Sequence, residues 1–111
     1  MKARYNVWIE AAEGGVVVSA WRARLLEAVE RTGSISAAAE ELKVPYRRAW
    51  EKLKEMETNF GQTLVETEVG GVHGGGARLT ESARDLMDRF RKFEAGLADE
   101  IQSRYRRAFV R

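Results

Sequence analysis

The first 33 residues of the chain show two patterns of apolar and polar residues, the first typical of β-strands and the second of a helix. Residues 4–11 (RYNVWIEA) and 16–21 (VVVSAW) are rich in β-forming side chains and flank the stretch EGG, a pattern typical of a β-hairpin. After them, apolar residues recur at helical spacing until Gly33, a residue type that commonly ends helices. The pattern therefore predicts a hairpin within residues 1–20 and a helix over Ala20–Thr32.

Two more helices are predicted between residues 34 and 60. Ser34 or Ser36 can cap a short helix, in which three consecutive alanines favour the helical state and allow close approach of a neighbour. A third helix is expected to start at Pro45, because proline suits the first turn of a helix and disfavours the helical conformation in the residue before it. Its apolar face is predicted to comprise Tyr46, Ala49, Trp50, Leu53, Met56 and Phe60. Its opposite face is predicted to carry Arg47, Arg48, Glu51 and Lys52.

A second hairpin and a long helix complete the pattern. The stretch TLVETEV (63–69) alternates and leads into a glycine run, after which ARLT (77–80) is able to return as a second strand. Thr80 can then cap a helix whose apolar residues keep a spacing of three or four as far as Phe109. A continuous helix over residues 80–110 would measure about 42 Å, which is longer than so small a domain can cover.

Part of this apolar stripe is therefore expected to bind a second copy of the chain. The predicted dimer interface comprises Phe90, Phe93, Leu97, Ile101, Tyr105 and Phe109. The alternative is that the helix folds back on its own domain or frays after Gly96, because glycine costs about 1 kcal/mol in a helix interior. The order of elements predicts a mainly α fold with small β-hairpins, namely a winged helix-turn-helix with a long C-terminal dimerisation helix.

Length, composition and charge narrow the class of protein. The 111 residues fit a single domain, and the 44% hydrophobic content suits a globular fold. The absence of cysteine excludes disulfides and thiolate metal sites, and no apolar run approaches the length of a membrane span, so a cytoplasmic protein is expected. The net charge of +2, from 19 basic and 17 acidic residues, is small. Any contact with DNA must therefore come from local clusters.

Five glycines lie within residues 70–76 (GGVHGGG). They match neither a phosphate-binding loop, which needs a lysine and a serine or threonine after the last glycine, nor the dinucleotide pattern GxGxxG. A disordered hairpin tip is one interpretation, and Glu66 and Glu68 on the same ribbon oppose a contact with DNA. We favour a wing whose backbone amides approach the DNA backbone or minor groove. The predicted wing contacts are Gly71, Gly74, Gly75 and Arg78.

Basic side chains also lie at the amino end of the third helix, where recognition helices place the residues that reach base edges. Arginine at such a position can donate two hydrogen bonds to guanine O6 and N7. The alternative is a solvated helix face whose charge is balanced by Glu51 and Glu55. At the amino end of the preceding helix, a serine can hold a phosphate as well as cap the helix. The predicted DNA-binding residues of this motif are Ser34, Ser36, Tyr46, Arg47, Arg48, Glu51 and Lys52.

The remaining candidate residues do not favour catalysis. His73 is the only histidine and has no close acidic neighbour in sequence, so it is interpreted as a solvated loop residue, and no metal site or cofactor is expected. Trp21 and Trp50 occupy apolar helix positions and are predicted to be core residues. The sequence contains no Ser/His/Asp set, nucleophile elbow or isolated pair of carboxylates, so no enzyme is expected.

The stretch GSISAAAEELKVPYRRAW, followed in order by EM, LVE, GG and GGGARLT, resembles the amino-terminal domain of the ModE-type molybdenum-dependent transcriptional regulators. The resemblance covers residues 25–83 and rests on GSIS, on the YxxAW helix and on a glycine-rich wing that ends in LT. It implies a winged helix-turn-helix that dimerises through its first and last helices and binds palindromic promoter DNA. It also implies a link to molybdate or metal metabolism.

Two differences from that family are visible. Val72 and His73 stand where the family's wing often has a lysine and a glycine, which implies a weaker electrostatic grip by the wing tip. The molybdate-binding domain of full-length members has no counterpart in these 111 residues, so any effector is expected to be sensed by a separate partner. The predicted function is a homodimeric, DNA-binding transcriptional regulator. The alternative is a winged-helix module that binds another protein.

Overall fold

The computed structural model describes residues 1–68 and 76–110. In this part of the chain five helices and two antiparallel hairpins follow one another. In chain order they are β1 (Trp8–Glu10), β2 (Val16–Ser19), α1 (Ala20–Thr32), α2 (Ile35–Glu41), α3 (Tyr46–Phe60), β3 (Val65–Glu68), β4 (Gly76–Leu79), α4 (Glu81–Glu94) and α5 (Leu97–Phe109). Within these described residues, no helix combines the length and the apolar content needed to cross a membrane.

Local side-chain chemistry sets the ends of the helices. α1 begins where the Ser19 hydroxyl accepts a hydrogen bond from the Arg22 N–H, and it ends at Gly33, whose φ of 73° favours glycine. Both ends of α1 agree with the prediction. Of the two serines proposed as caps for α2, Ser34 is the one that accepts from the Ala37 N–H, at 3.1 Å.

The core lies between α1, α2, α3 and α4 and is closed by β2 of the first hairpin and by both strands of the second, β3 and β4. The side chains of Leu25, Leu26 and Val29 are fully buried at its centre. Ala38 and Ala39 are also buried, and their small side chains let α2 approach α1 closely. The short alanine-rich helix therefore packs as the sequence predicted.

The second hairpin, β3–β4, is attached to the helical core at its base. Its register pairs Val65 with Leu79 and Glu66 with Arg78, and both members of the first pair are buried. The Ala77 N–H also donates to the Gly33 carbonyl at 2.8 Å, which ties the hairpin to the junction between α1 and α2. β3 begins two residues later than predicted, β4 has the predicted four residues but begins one residue earlier, and the tip at residues 69–75 lies outside the described residues.

The C-terminal helix is broken, so the predicted continuous helix over residues 80–110 is wrong. α4 ends at Glu94 and is capped by Ala95, whose N–H donates to the Arg91 carbonyl, and α5 starts after Gly96. Gly96 has a φ of 80°, a left-handed conformation that glycine adopts without the steric cost other residues meet. Gly96, which would be unfavourable inside a helix, thus lies between two helices, and the chain bends there.

α5 extends away from the core, and none of its residues is buried. The chain measures 63 Å along its longest axis and 21 Å along its shortest, and its radius of gyration is 16.7 Å. A compact chain of this length would have a radius of gyration of about 13 Å. The amino-terminal segment lies beside α5, because Tyr105 Oη donates to the Met1 carbonyl and Gln102 Nε2 to the Ala3 carbonyl.

Only part of the predicted dimer stripe is available on the surface. Phe90 has 2% of its surface exposed and packs in the core of its own chain, so its assignment to an interface is wrong. The spacing pattern could not distinguish this buried residue from its neighbours. Beyond it, Phe93 is half exposed and Phe109 is largely exposed. Leu97, Ile101 and Tyr105 are partly exposed.

Candidate DNA-binding surface

A tight turn places α3 across α2. The Val44 N–H donates to the Ala39 carbonyl at 3.0 Å, and Pro45 precedes the first residue of α3 with an extended backbone. Lys43, between them, has a φ of 59° and is the one non-glycine residue with positive φ among residues 1–68 and 76–110. The turn therefore orients α3 at the expense of a strained backbone, with an exposed lysine next to the amino end of α3.

α3 buries one face and presents the rest to solvent. Ala49, Leu53 and Met56 are buried, and they lie on a single side of the helix. The exposed side carries three rows of residues spaced by four, which are neighbours on a helix surface. These rows are Tyr46–Trp50–Lys54, Arg47–Glu51 and Arg48–Lys52.

Trp50 does not belong to the core, and this part of the prediction is wrong. Its exposed fraction is 42%, and that of Tyr46 is 52%, whereas Trp21 is partly buried and packs against the core as expected. At 100° per residue Trp50 lies a full 100° away from buried Ala49, at the border of the apolar face. The sequence therefore indicated, through this angle, that Trp50 is partly exposed, but the apolar character of tryptophan led to its assignment to the core.

The basic residues at the amino end of α3 are the most accessible part of this surface. The Arg47 side chain is 89% exposed and uses only its Nε to bind Glu51 Oε1, at 3.1 Å. Arg48 is exposed, and none of the described residues forms an ion pair with it. Lys52 pairs with Glu55 at 3.4 Å, and Glu55 also binds the buried Arg22 at the same distance. The guanidinium groups of Arg47 and Arg48 thus keep donors free for a ligand.

The two serines at α2 differ in what they offer. The Ser34 oxygen already accepts the capping hydrogen bond, and its hydroxyl proton remains able to donate to another acceptor. Ser36 is exposed in the first turn of α2. Both lie near the base of the wing, since the Gly33 carbonyl accepts from Ala77 of β4.

The wing offers less free charge than the sequence suggested. Arg78 Nη2 lies 3.3 Å from Glu66 Oε2 on the neighbouring strand, so the predicted phosphate contact is partly neutralised by its own ribbon. The other predicted contacts, Gly71, Gly74 and Gly75, lie outside the described residues, as do Val72 and His73.

A carboxylate links the base of the wing to α3. Glu57 Oε2 accepts hydrogen bonds from the backbone N–H groups of Leu64, at 2.8 Å, and Val65, at 3.1 Å. Its other oxygen lies 3.2 Å from Lys54 Nζ, and this ammonium group sits 5.6 Å from the centroid of the Trp50 ring. The sequence prediction named neither Glu57 nor Lys54 in any such role.

Two packed helices joined by a tight turn, with a basic amino end on the second and a two-stranded ribbon beside them, define a winged helix-turn-helix protein. Residues 22–84, more than half of the chain, match the family described as bacterial regulatory helix-turn-helix protein, lysR family. The chain therefore belongs to this family.

Similar proteins carry regulatory or molybdenum-related names. Over 80% of its length the chain is 39% identical to the molybdenum-pterin-binding protein MopB of Rhodobacter capsulatus, of which it spans 33%. Over 60% of its length it is 41% identical to the transcriptional regulator ModE of Haemophilus influenzae, of which it spans 26%. These identities confirm the resemblance to the ModE-type regulators, and the chain spans about a third or less of the curated relatives.

The fold is similar to that of a protein solved with DNA. The structure described as the CbnR_DBD–DNA complex superimposes on 79% of this chain and on 94% of that chain, with a TM-score of 0.58 and 25% sequence identity. This likeness confirms the predicted fold class, a mainly α winged helix-turn-helix with small hairpins.

Proposed function

We propose that the chain binds double-stranded DNA and regulates transcription, with α3 in the major groove. The observation that carries the proposal is the amino end of α3, where Arg47 and Arg48 project into solvent with free guanidinium donors. Arginine in that position can donate two hydrogen bonds to guanine, which is the most frequent base-specific contact of DNA-binding proteins. Membership of a regulatory helix-turn-helix family and the likeness to a DNA complex support this assignment.

We infer a supporting role for the surrounding elements. The Ser34 hydroxyl and Ser36 lie at the amino end of α2, and a helix amino end attracts phosphate oxygens. With α3 in the groove, both serines are therefore expected to contact the DNA backbone. The wing is expected to follow the DNA backbone, with Arg78 exchanging Glu66 for a phosphate group. Binding to operator DNA also implies that the protein acts in the cytoplasm, and none of these roles involves catalysis.

We further propose that two copies pair through α5. None of its apolar residues is buried by its own chain, Phe109 is largely exposed, and an exposed apolar stripe of this kind marks an interface. The first turn of α5 carries Asp99 and Glu100, and the last turn carries Arg106 and Arg107. An antiparallel arrangement places the acidic end of one copy beside the basic end of the other. A two-fold dimer of this type fits a palindromic operator with half-sites about 34 Å apart.

The names of the relatives suggest what the protein regulates. MopB is named for molybdenum–pterin binding, and another relative is the molybdenum transport protein ModE of Azotobacter vinelandii. We infer that the genes controlled by this chain belong to molybdenum metabolism and that any effector is sensed by a separate partner.

Selection of bound duplexes from a random DNA pool, followed by affinity measurements at several salt concentrations, tests the proposal. A DNA-binding protein should select a palindromic sequence, and its affinity should fall steeply with salt because neutralised phosphates release counterions. Failure to enrich any sequence would contradict operator recognition. The second candidate, a protein-binding module, is favoured by the ion pairs that Glu51 and Glu66 form with the proposed DNA contacts, and it predicts no such salt dependence.

A further inference from the structure

Tyr46 and Trp50 form an apolar spot on the otherwise charged exposed side of α3. Both are large aromatic residues with about half of their surface in solvent, 52% and 42% respectively. They are four residues apart, so they are neighbours on the helix surface. Aromatic area of this size on the outer side of a packed helix is available for contact with a partner.

The Trp50 ring is held in place from its carboxyl-terminal side. Lys54 Nζ lies 5.6 Å from the ring centroid, and this ammonium group is itself bound by Glu57 at 3.2 Å. Glu57 in turn accepts from the backbone of Leu64 and Val65. Because side chains on a helix point toward its amino end, the indole covers the surface next to Tyr46, in the first turn of α3. The apolar spot is therefore an oriented surface at the end of the helix that we place in the major groove.

The charges around this spot indicate what covers it. Lys43 precedes α3 in the turn, Arg47 lies in the first turn, and Lys54 contacts the Trp50 ring. The first carboxylate within α3, Glu51, is bound to Arg47. A second copy of this surface would bring cations against cations. A polyanion that carries an apolar group fits the arrangement, and in the major groove that group is the C5-methyl of thymine.

We propose that Tyr46 and Trp50 bind the C5-methyl group of a thymine in each half-site of the operator and are specificity-determining residues. This inference rests on the proposed function of α3 as the helix that enters the major groove. Arg47 and Arg48 then contact guanine or phosphate, while the aromatic pair distinguishes thymine from cytosine, which lacks the C5-methyl group and carries an amino group in place of O4. The selected operator should accordingly contain an invariant thymine near the guanine contacts.

Replacement of single thymines by deoxyuridine in the selected operator tests this proposal, because it removes one methyl group and leaves base pairing intact. For the full wild-type chain, the substitution at one or more positions per half-site should lower the affinity for the operator about three- to fivefold, the change expected for one buried methyl group. Trp50→Ala and Tyr46→Ala should each reduce or abolish that difference. Trp8→Ala is the matched control, since this tryptophan is 46% exposed on β1 and should leave the methyl effect unchanged.

The outcomes separate this inference from the function on which it rests. Two outcomes would overturn the aromatic contact while leaving DNA binding intact. In the first, replacing thymine by deoxyuridine changes the affinity at no position of the operator. In the second, the methyl effect persists in both Trp50→Ala and Tyr46→Ala. Failure to bind any selected duplex would overturn both. If Trp50→Ala does not fold, as judged by circular dichroism, Tyr46→Ala and Trp50→Phe decide the matter, and the phenylalanine variant should keep the methyl effect.

Discussion

The Glu57 carboxylate and the Leu64 backbone are joined by a hydrogen bond of 2.8 Å, in which Oε2 accepts from the N–H group. The same oxygen accepts from Val65 at the start of β3, and only 14% of the Glu57 side chain is exposed. Because Leu64 and Val65 lead into the wing, this one carboxylate fixes the base of the wing to α3. The two elements proposed to contact DNA are thereby held in a common orientation.

Glu57→Ala is expected to lower the free energy of unfolding by about 1–3 kcal/mol, because two largely buried N–H groups lose their acceptor. Equilibrium denaturation with urea measures this change. Glu57→Gln keeps one carbonyl acceptor and should give an intermediate loss. Glu51→Ala, at an exposed position of the same helix, should change the stability by less than about 0.5 kcal/mol. A loss for Glu57→Ala no larger than this control would contradict the link.

The starts of the first four helices and the end of α1 could be predicted because local residues determine them. Ser19 and Gly33 delimit α1, Pro45 precedes α3, and Thr80 caps α4 by accepting from the Ala83 N–H. Each of these residues acts within its own turn of chain, through a side-chain oxygen or a backbone preference. The order of the elements, and with it the winged helix-turn-helix class, followed from these signals.

Features that depend on packing could not be predicted in the same way. Phe93 and Leu97 are four residues apart whether the helix between them is continuous or broken, so the spacing did not reveal the bend at Gly96. The contact between Glu57 and Leu64 forms only because the chain reverses after α3, at Gly61, whose φ is 80°.

Arg47→Ala and Arg48→Ala should each weaken binding to the selected operator by about 1–3 kcal/mol where a base contact is lost. Both side chains project away from the core, so the unfolding free energy should stay within about 0.5 kcal/mol of wild type. Fluorescence anisotropy with labelled duplex gives the affinities. Arg89→Ala removes another exposed arginine, from α4, and serves as the control. Wild-type affinity in both α3 variants would show that DNA binds elsewhere.

Lys43→Gly should raise the free energy of unfolding by about 0.5–1 kcal/mol. The left-handed conformation at this position costs a residue with a side chain about 1–2 kcal/mol, and the greater freedom of glycine in the unfolded chain offsets part of the gain. Lys43→Ala removes the same charge but keeps the Cβ atom, so its stability should remain close to that of wild type. Equal stabilisation by both substitutions would instead indicate an effect of charge.

Arg31 holds the pKa of the Glu41 carboxyl below its ordinary value, because the guanidinium donates hydrogen bonds to the carboxylate and attracts its charge. The ion pair joins the end of α1 to the end of α2 and exists only while Glu41 is ionised. Its contribution to stability is therefore present above the pKa of the unfolded chain and is lost as the pH falls through the lower pKa of the folded chain. In a carbon-13 NMR titration, Arg31→Ala should raise the pKa of Glu41, and Arg24→Ala should not.

Aspartate substitutions at the bend between α4 and α5 test the proposed dimer interface. Phe93 and Leu97 lie on either side of the bend and are at least partly exposed, so aspartate at both positions should leave the core intact. Sedimentation equilibrium should show a dimer for the wild type at micromolar concentration and a monomer for Phe93→Asp with Leu97→Asp. The monomer should also bind a palindromic operator much more weakly, because only one half-site is held at a time. A wild-type chain that sediments as a monomer would rule out the interface.

Charge reversal tests the antiparallel arrangement itself. Arg106→Glu with Arg107→Glu should weaken the dimer, since the last turn of α5 would then face Asp99 and Glu100 of the second copy. Adding Asp99→Arg and Glu100→Arg to the same chain restores opposite charges between antiparallel helices and should recover the dimer. In a parallel pair like ends meet, so the fourfold exchange would only swap one repulsion for another. Recovery in the fourfold variant, after loss in the twofold one, therefore requires the antiparallel orientation.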